Sequence, residues 1–147
     1  FPQVRVACAA QPLSKRADGF AEWDGVVPVS HYPMMEYFSA FDAAISAAGF
    51  NCGELVYAGV PAIWLPLGHP STDQEFNAER FAGRGLGIKV KLFDSEALKA
   101  AVEALLDAKQ RADMAKSMRA WIGSNGAETA ARAVVGLVDT LSAKGAG

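Results

Sequence analysis

"ISAAGFNCGELVYAGVPAIWLPL", residues 45–67, reads as an apolar strand, a glycine turn, a short helix, a second turn and another apolar strand. Strands joined through a single crossover helix run parallel, and parallel strands carry helices on their faces. The same alternation continues in both directions. Strands are predicted over residues 4–9, 26–29, 43–46, 62–67 and 87–90. Each is a continuous apolar run, the pattern of strands covered on both faces. Helical spacing predicts helices over 34–41, 52–58, 74–84, 95–106, 111–122 and 127–141. In "DSEALKAAVEALL", Ser95 is the expected cap, and Ala97, Leu98, Ala101, Val102, Leu105 and Leu106 form the expected buried stripe. Met34, Tyr37, Phe38 and Phe41 are spaced as the buried face of a shorter helix. The last helix follows a turn at Asn125 and Gly126. The predicted fold class is α/β, a Rossmann-like doubly wound parallel sheet.

The 147 residues suit one domain with a core of its own, and Gln11 to Asp24 reads as a polar, mobile connection. A formal charge of −2 gives no electrostatic footprint for nucleic acid, and no block of Lys and Arg marks a membrane surface. No apolar run approaches the roughly 20 residues of a spanning helix. The opening "FPQVRVACAA" has neither a secretory pattern nor an initiator Met, and the chain is read as a piece of a longer protein. Cys8 and Cys52 lack metal or redox spacing and are expected as reduced thiols, which suits a cytoplasmic protein.

In doubly wound sheets ligands bind beyond the carboxyl ends of the strands. Three loops therefore matter. After Ser46, "AAGFNCGE" presents backbone N–H groups and the positive end of a helix, suited to an anion such as a diphosphate. Gly49 and Gly53 let the backbone come close, and the Asn51 amide adds a donor; the plainer alternative is a tight turn with Asn51 as helix cap. Glu54 would repel a phosphate unless aimed elsewhere, and its oxygens suit adjacent ribose hydroxyls. After Leu67, Asp73, Gln74 and Asn77 offer one carboxylate and two carboxamides for sugar hydroxyls, or Thr72 or Asp73 simply caps the helix. After Val29, His31 and Tyr32 precede Pro33 and either flank a flat base or lie on the loop surface.

Three stretches in order carry a resemblance: "FDAAISAAGFN" (41–51), "ELVYAGVPAIWLPL" (54–67) and "HPSTDQEFNAERFAGRGLGI" (69–88). Together they resemble the donor-binding, C-terminal domain of GT-B-fold, UDP-sugar-dependent glycosyltransferases, of the family 28 C-terminal type that includes the peptidoglycan N-acetylglucosaminyltransferase. The resemblance implies that Gly49, Phe50, Asn51, Cys52 and Gly53 hold the donor diphosphate and Glu54 the ribose. It implies that Asp73 and Gln74 contact the transferred sugar, with Asn77 supporting that loop, and that His31, Tyr32 and Met34 lie in the segment reading uracil.

Departures are visible. Ala47 stands where plant-type members have His, Cys52 where Ser or Thr is usual, and the interval from Gly49 to Glu54 is one residue short. The domain's earlier strand and Gly-rich loop are also missing, so the expected GT-B half is incomplete at its N-terminus.

The implied reaction moves a hexosyl or N-acetylhexosaminyl group from a UDP-sugar to an acceptor hydroxyl with inversion. It uses no cofactor, and no Asp, His or Cys cluster has metal-ligand spacing. No catalytic residue is assigned within the chain. His31 and His69 are bases only by default, and the resemblance places the base on an acceptor-binding N-terminal domain or partner subunit. The chain alone is accordingly expected to be inactive. Such enzymes sit in the cytoplasm or peripherally on the inner face of the membrane, without a transmembrane segment. The alternatives are a non-catalytic GT-B half working with a separate subunit, a UDP-N-acetylglucosamine 2-epimerase, against which "DQEFNA" argues, and a plain doubly wound signalling domain.

Overall fold

The computed structural model describes residues 1–9, 24–29, 31, 33–68, 73–123 and 126–145, so all of the expected connection but Asp24 lies outside the described residues. It forms two compact units, Phe1–Glu36 and Tyr37–Gly147.

In the first unit, β1 (Val6–Ala9) pairs in parallel with β2 (Val26–Val29), Val6 opposite Val26 and Ala9 opposite Val29. The pair is a sheet by itself, separate from the sheet of the second unit. Its residues are exposed or half-buried throughout, which corrects the expectation of strands covered on both faces. Pro28 supplies no N–H and is tolerated in β2 because neither strand of a two-stranded sheet is central.

A 3-10 helix, Met34–Ala40, follows at the junction of the units. Of the four residues expected as its buried stripe only Phe38 is buried, and Tyr37 is exposed. Three residues per turn put Met34 and Tyr37 on one side and Phe38 and Phe41 on another, so a stripe of period 3.6 does not form.

The second unit runs β3 (Ala44–Ser46), α1 (Asn51–Ala58), β4 (Ala62–Trp64), α2 (Gln74–Ala82), β5 (Ile88–Lys89), α3 (Ser95–Leu106), α4 (Ala108–Trp121) and α5 (Ala127–Gly145). Its three strands are parallel in the order β3-β4-β5, with Ser46 opposite Trp64 and Trp64 opposite Lys89. β4, in the middle, is buried at all three positions. Neighbouring side chains leave a strand on opposite faces. Ile63 joins Val90, Ala101 and Leu105 in one core, against which Ala97, Leu98 and Val102 of α3 pack. Trp64 meets Phe81 of α2 with ring centroids 5.5 Å apart and donates from Nε1 to the Leu86 carbonyl at 3.2 Å. Gly87, at φ 149°, passes under that indole so closely that a Cβ would lie 2.0 Å from Nε1.

Two helix starts differ from the sequence expectation for local reasons. Asp94, rather than Ser95, caps α3, accepting from the Ala97 N–H at 3.0 Å. Asp107 ends α3 and accepts from the Lys109 N–H at 2.7 Å, so α4 begins at Ala108. Leu106, expected in the buried stripe of α3, is exposed. α5 carries Val134, Val135, Leu137, Val138 and Leu141, all exposed. Among the described residues no helix is long and apolar enough to cross a membrane.

Candidate functional site

The carboxyl ends of β3 and β4 lie side by side: the Leu65 N–H donates to the Ser46 carbonyl at 2.8 Å, one residue past the paired strands. The turn into α1 and the loop into α2 therefore leave the same edge of the sheet. One hydrogen bond fastens them to each other and a second closes the loop into α2. The Asn77 side-chain NH2 donates to the Ala48 carbonyl at 3.1 Å, and the Leu67 N–H donates to Gln74 Oε1 at 2.9 Å. Gln74 and Asn77 are three residues apart on α2, close to one face, so the first turn of that helix reaches both loops.

The turn itself is built from Ser46 outward. Ser46, 8% exposed, is the buried polar residue among the described ones. Its Oγ accepts from the Ala48 N–H at 3.2 Å and donates to Asn51 Oδ1 at 2.9 Å. Ala48, fully buried, has φ 56°, a left-handed conformation disfavoured for a residue with a Cβ. Hydrogen bonds to both its N–H and its carbonyl hold it there. The left-handed residue of the turn is thus Ala48, while Gly49 has no positive φ. A Cβ at Gly49 or Gly53 would meet nothing within 4 Å among the described residues, which leaves the turn open to close approach.

α1 begins without a side-chain cap. Phe50 precedes it in helical conformation and exposed, and the expected alternative of Asn51 as the cap does not hold, because Asn51 Oδ1 is engaged by Ser46. The Cys52 N–H turns back to the Gly49 carbonyl at 3.1 Å, whereas the Phe50 and Asn51 N–H groups meet no acceptor among the described residues. Such amides at a helix N-terminus favour an anion. Cys52 is buried; burial raises its thiol pKa, against the opposing pull of the Gly53 and Cys52 N–H groups and the Arg80 charge. Glu54, in the first turn of α1, is exposed and has no ion-pair or hydrogen-bond partner among the described residues.

At the second loop Asp73 sits at the N-cap position of α2, exposed and without a side-chain cap bond. Gln74 has its oxygen occupied, and its N–H donors meet no acceptor among the described residues; Asn77 has a donor committed to Ala48. Thr72 and His69 lie outside the described residues, as does Tyr32. His31 and Met34 belong to the first unit, His31 exposed and Met34 half-buried. The structure thus brings Asn51, Gln74 and Asn77 to one sheet edge through bonds with Ser46, Leu67 and Ala48. Reading the sequence missed Ser46 and Ala48. The available signal was a serine closing an otherwise apolar strand, a hydroxyl that burial obliges to find partners. A surface depression lined by Phe76, Glu79, Arg80 and Arg84 lies farther along α2 and includes none of these groups.

Parallel strands joined by crossover helices, with their connecting loops at the carboxyl edge, define the Rossmann-like class of α/β folds. Twelve chains of known structure match this one. Among them is the crystal structure of the glycotransferase of kitacinnamycin, 24% identical, with a TM-score of 0.50 over 66% of this chain and 26% of that one. The fold is accordingly a Rossmann-like half of the GT-B type, and the matched part spans about a quarter of that solved chain. No curated protein matches. The model of the glycosyltransferase family 28 C-terminal domain matches residues 3–135, and the chain belongs to that family.

Proposed function

We propose that the chain is the donor-binding part of a glycosyltransferase that moves a hexosyl or N-acetylhexosaminyl group from a UDP-sugar to an acceptor hydroxyl, with inversion and without a metal. Residues 49–53 hold the diphosphate, Glu54 the ribose hydroxyls, and Asp73 and Gln74 the transferred sugar, with Asn77 bracing the turn; His31, Tyr32 and Met34 read the base. The observation that carries this reading is the Asn77–Ala48 bond, which fastens the start of α2 to the turn into α1, beside a Glu54 carboxylate with no partner among the described residues.

Breaking the sugar–phosphate bond leaves negative charge on the departing diphosphate. Open amides at the start of α1 stabilise it as it forms, at no cost in reorganisation. Gln74, whose oxygen is held by Leu67, offers N–H groups to sugar oxygens. Glu54, as an acceptor only, takes hydrogen bonds from two hydroxyls. The base that removes the acceptor's proton belongs to an acceptor-binding domain or subunit, so this chain alone does not turn over.

The test is the melting temperature of the protein expressed from its full reading frame, with UDP-, ADP- and GDP-sugars. A shift with UDP-sugars above the others is expected. Glu54→Ala should remove on the order of 2–3 kcal/mol of the binding, from the loss of two charge-assisted hydrogen bonds. Equal shifts with all three nucleotides would overturn the reading.

The exposed apolar residues of α5 favour a second reading, a GT-B half that works with a separate partner subunit. Sugar transfer by the full reading frame without a partner would refute it.

A further inference from the structure

The bonds around Ser46 fix more than the shape of the turn. The Ala48 N–H can only donate, so Ser46 Oγ accepts from it and has its own hydrogen left to place. That hydrogen goes to Asn51 at 2.9 Å, and Asn51 must present its oxygen there. With the Asn51 amide turned over, the Ser46 hydroxyl hydrogen would face another donor, inside a site only 8% exposed and with no other acceptor among the described residues. The same constraint leaves the Asn51 NH2, on an exposed side chain, without a partner among the described residues.

We infer that Ser46 is a positioning residue that sets the polarity of Asn51, holding its amide oxygen inward so that its NH2 is presented to the donor diphosphate. The inference rests on the UDP-sugar reading above and adds a residue to it. Information passes from a backbone N–H with a fixed role, through one buried hydroxyl, to the group that meets the ligand. The turn therefore offers a side-chain donor beside its open amides without the Ser or Thr usual at the position of Cys52. Ala48, held left-handed at φ 56° by the Asn77 bond on its other side, keeps the relay in register.

The experiment measures UDP and uridine affinity, and the melting temperature, for the protein expressed from its full reading frame. Asn51→Ala should weaken UDP about tenfold, the loss of a hydrogen bond to a charged group. Asn51→Asp still accepts from Ser46 and places a favourable charge in the first helical turn, so its melting temperature should not fall below wild type. Yet it turns a carboxylate toward the diphosphate, and its UDP affinity should fall about a further tenfold below that of Asn51→Ala. Ser46→Ala should weaken UDP about fivefold and leave uridine binding unchanged, because the relay ends at the phosphates.

Asn51→Asp binding UDP as well as Asn51→Ala would overturn the inference, and so would Ser46→Ala weakening UDP and uridine equally. In either case a weakened Glu54→Ala would leave the UDP-sugar reading standing. A wild-type protein that does not bind UDP would take both down. The Asn51 pair decides the question even if Ser46→Ala does not fold.

Discussion

β2 and β4 are written in the same apolar alphabet and live in different surroundings. "VVPV" pairs with one neighbour and is exposed at Val27, 58% accessible; "AIW" has a strand on each side and is buried at every position, Ile63 to 1%. Hydrophobic composition thus selects extended, paired backbone in both places. What separates them is cover: α3 on the Ile63 side of β4 and α2 on the Trp64 side. That contrast predicts where the chain is intolerant of change and where it is not.

The largest effect should come where cover is tightest. Gly87→Ala adds a Cβ at 2.0 Å from the Trp64 ring, at a φ that disfavours side chains. The indole is fully buried and bonded to Leu86, so it has no free direction in which to move. A loss of about 4 kcal/mol or more is expected, read by denaturant unfolding. A loss under about 1 kcal/mol would mean that Trp64 repacks, and that β4 is less confined than its burial indicates.

A paired substitution tests the comparison directly. Ile63→Ala should cost about 3 kcal/mol, from lost transfer energy and the cavity left among Val90, Ala101 and Leu105. Val27→Ala, at a position mostly in solvent, should stay within about 0.5 kcal/mol. Equal costs would abolish the distinction between the two sheets.

The same contrast explains what could be read without coordinates. The order of strands and helices from residue 43 to 106 was legible because the period changes between elements and each change is punctuated, by Gly49, by Gly59 and Pro61, and by Asp94. All six predicted helices exist, one of them as a 3-10 helix. The division into two sheets was not legible: an apolar run states that a strand will pair, and nothing in it says with how many partners or under which helix. At the site, residues whose chemistry is local could be named, such as Glu54 at a helix start. Those that act through tertiary bonds could not. Nothing in "SAAGFN" announces that Ala48, rather than the glycine beside it, takes the left-handed conformation. That outcome depends on Asn77, 29 residues away.

The two cysteines carry the comparison into reactivity. Cys8 lies half-buried on β1; Cys52 is buried at the start of α1, where burial raises its thiol pKa and outweighs the nearby N–H groups and Arg80. Burial thus keeps less of Cys52 as thiolate than the ordinary thiol value would give, and access to it is poorer than to Cys8. Iodoacetamide followed by mass spectrometry should modify Cys8 about tenfold or more faster. Comparable rates would show that the start of α1 opens readily.

β5 falls between the extremes, with both residues half-buried, and there a charge does the fastening. Lys89 reaches both Glu75 and Glu79 of α2, tying the helix that carries Gln74 and Asn77 to the edge of the sheet. The hydrogen bond that Lys89 donates to Glu75 is the main cause of a Lys89 pKa raised above its usual value; burial works against it, and Glu79 adds to it. A raised pKa in the folded state means that the ammonium contributes stability below the unfolded value, lost as pH climbs through the folded one. Lys89→Met keeps most of the stem and removes the charge. It should lower stability by no more than about 1 kcal/mol at pH 7, as expected for ion pairs with exposed carboxylates. The gap should hold to about pH 9 and narrow only as pH rises past the ordinary lysine value, about 10.4, toward the higher folded one. Melting curves of the two proteins at pH 7, 9 and 11 decide it. A gap as wide at pH 11 as at pH 7 would assign the loss to packing of the lysine stem against α2, and would move β5 from the charge-fastened class to the covered class that β4 represents.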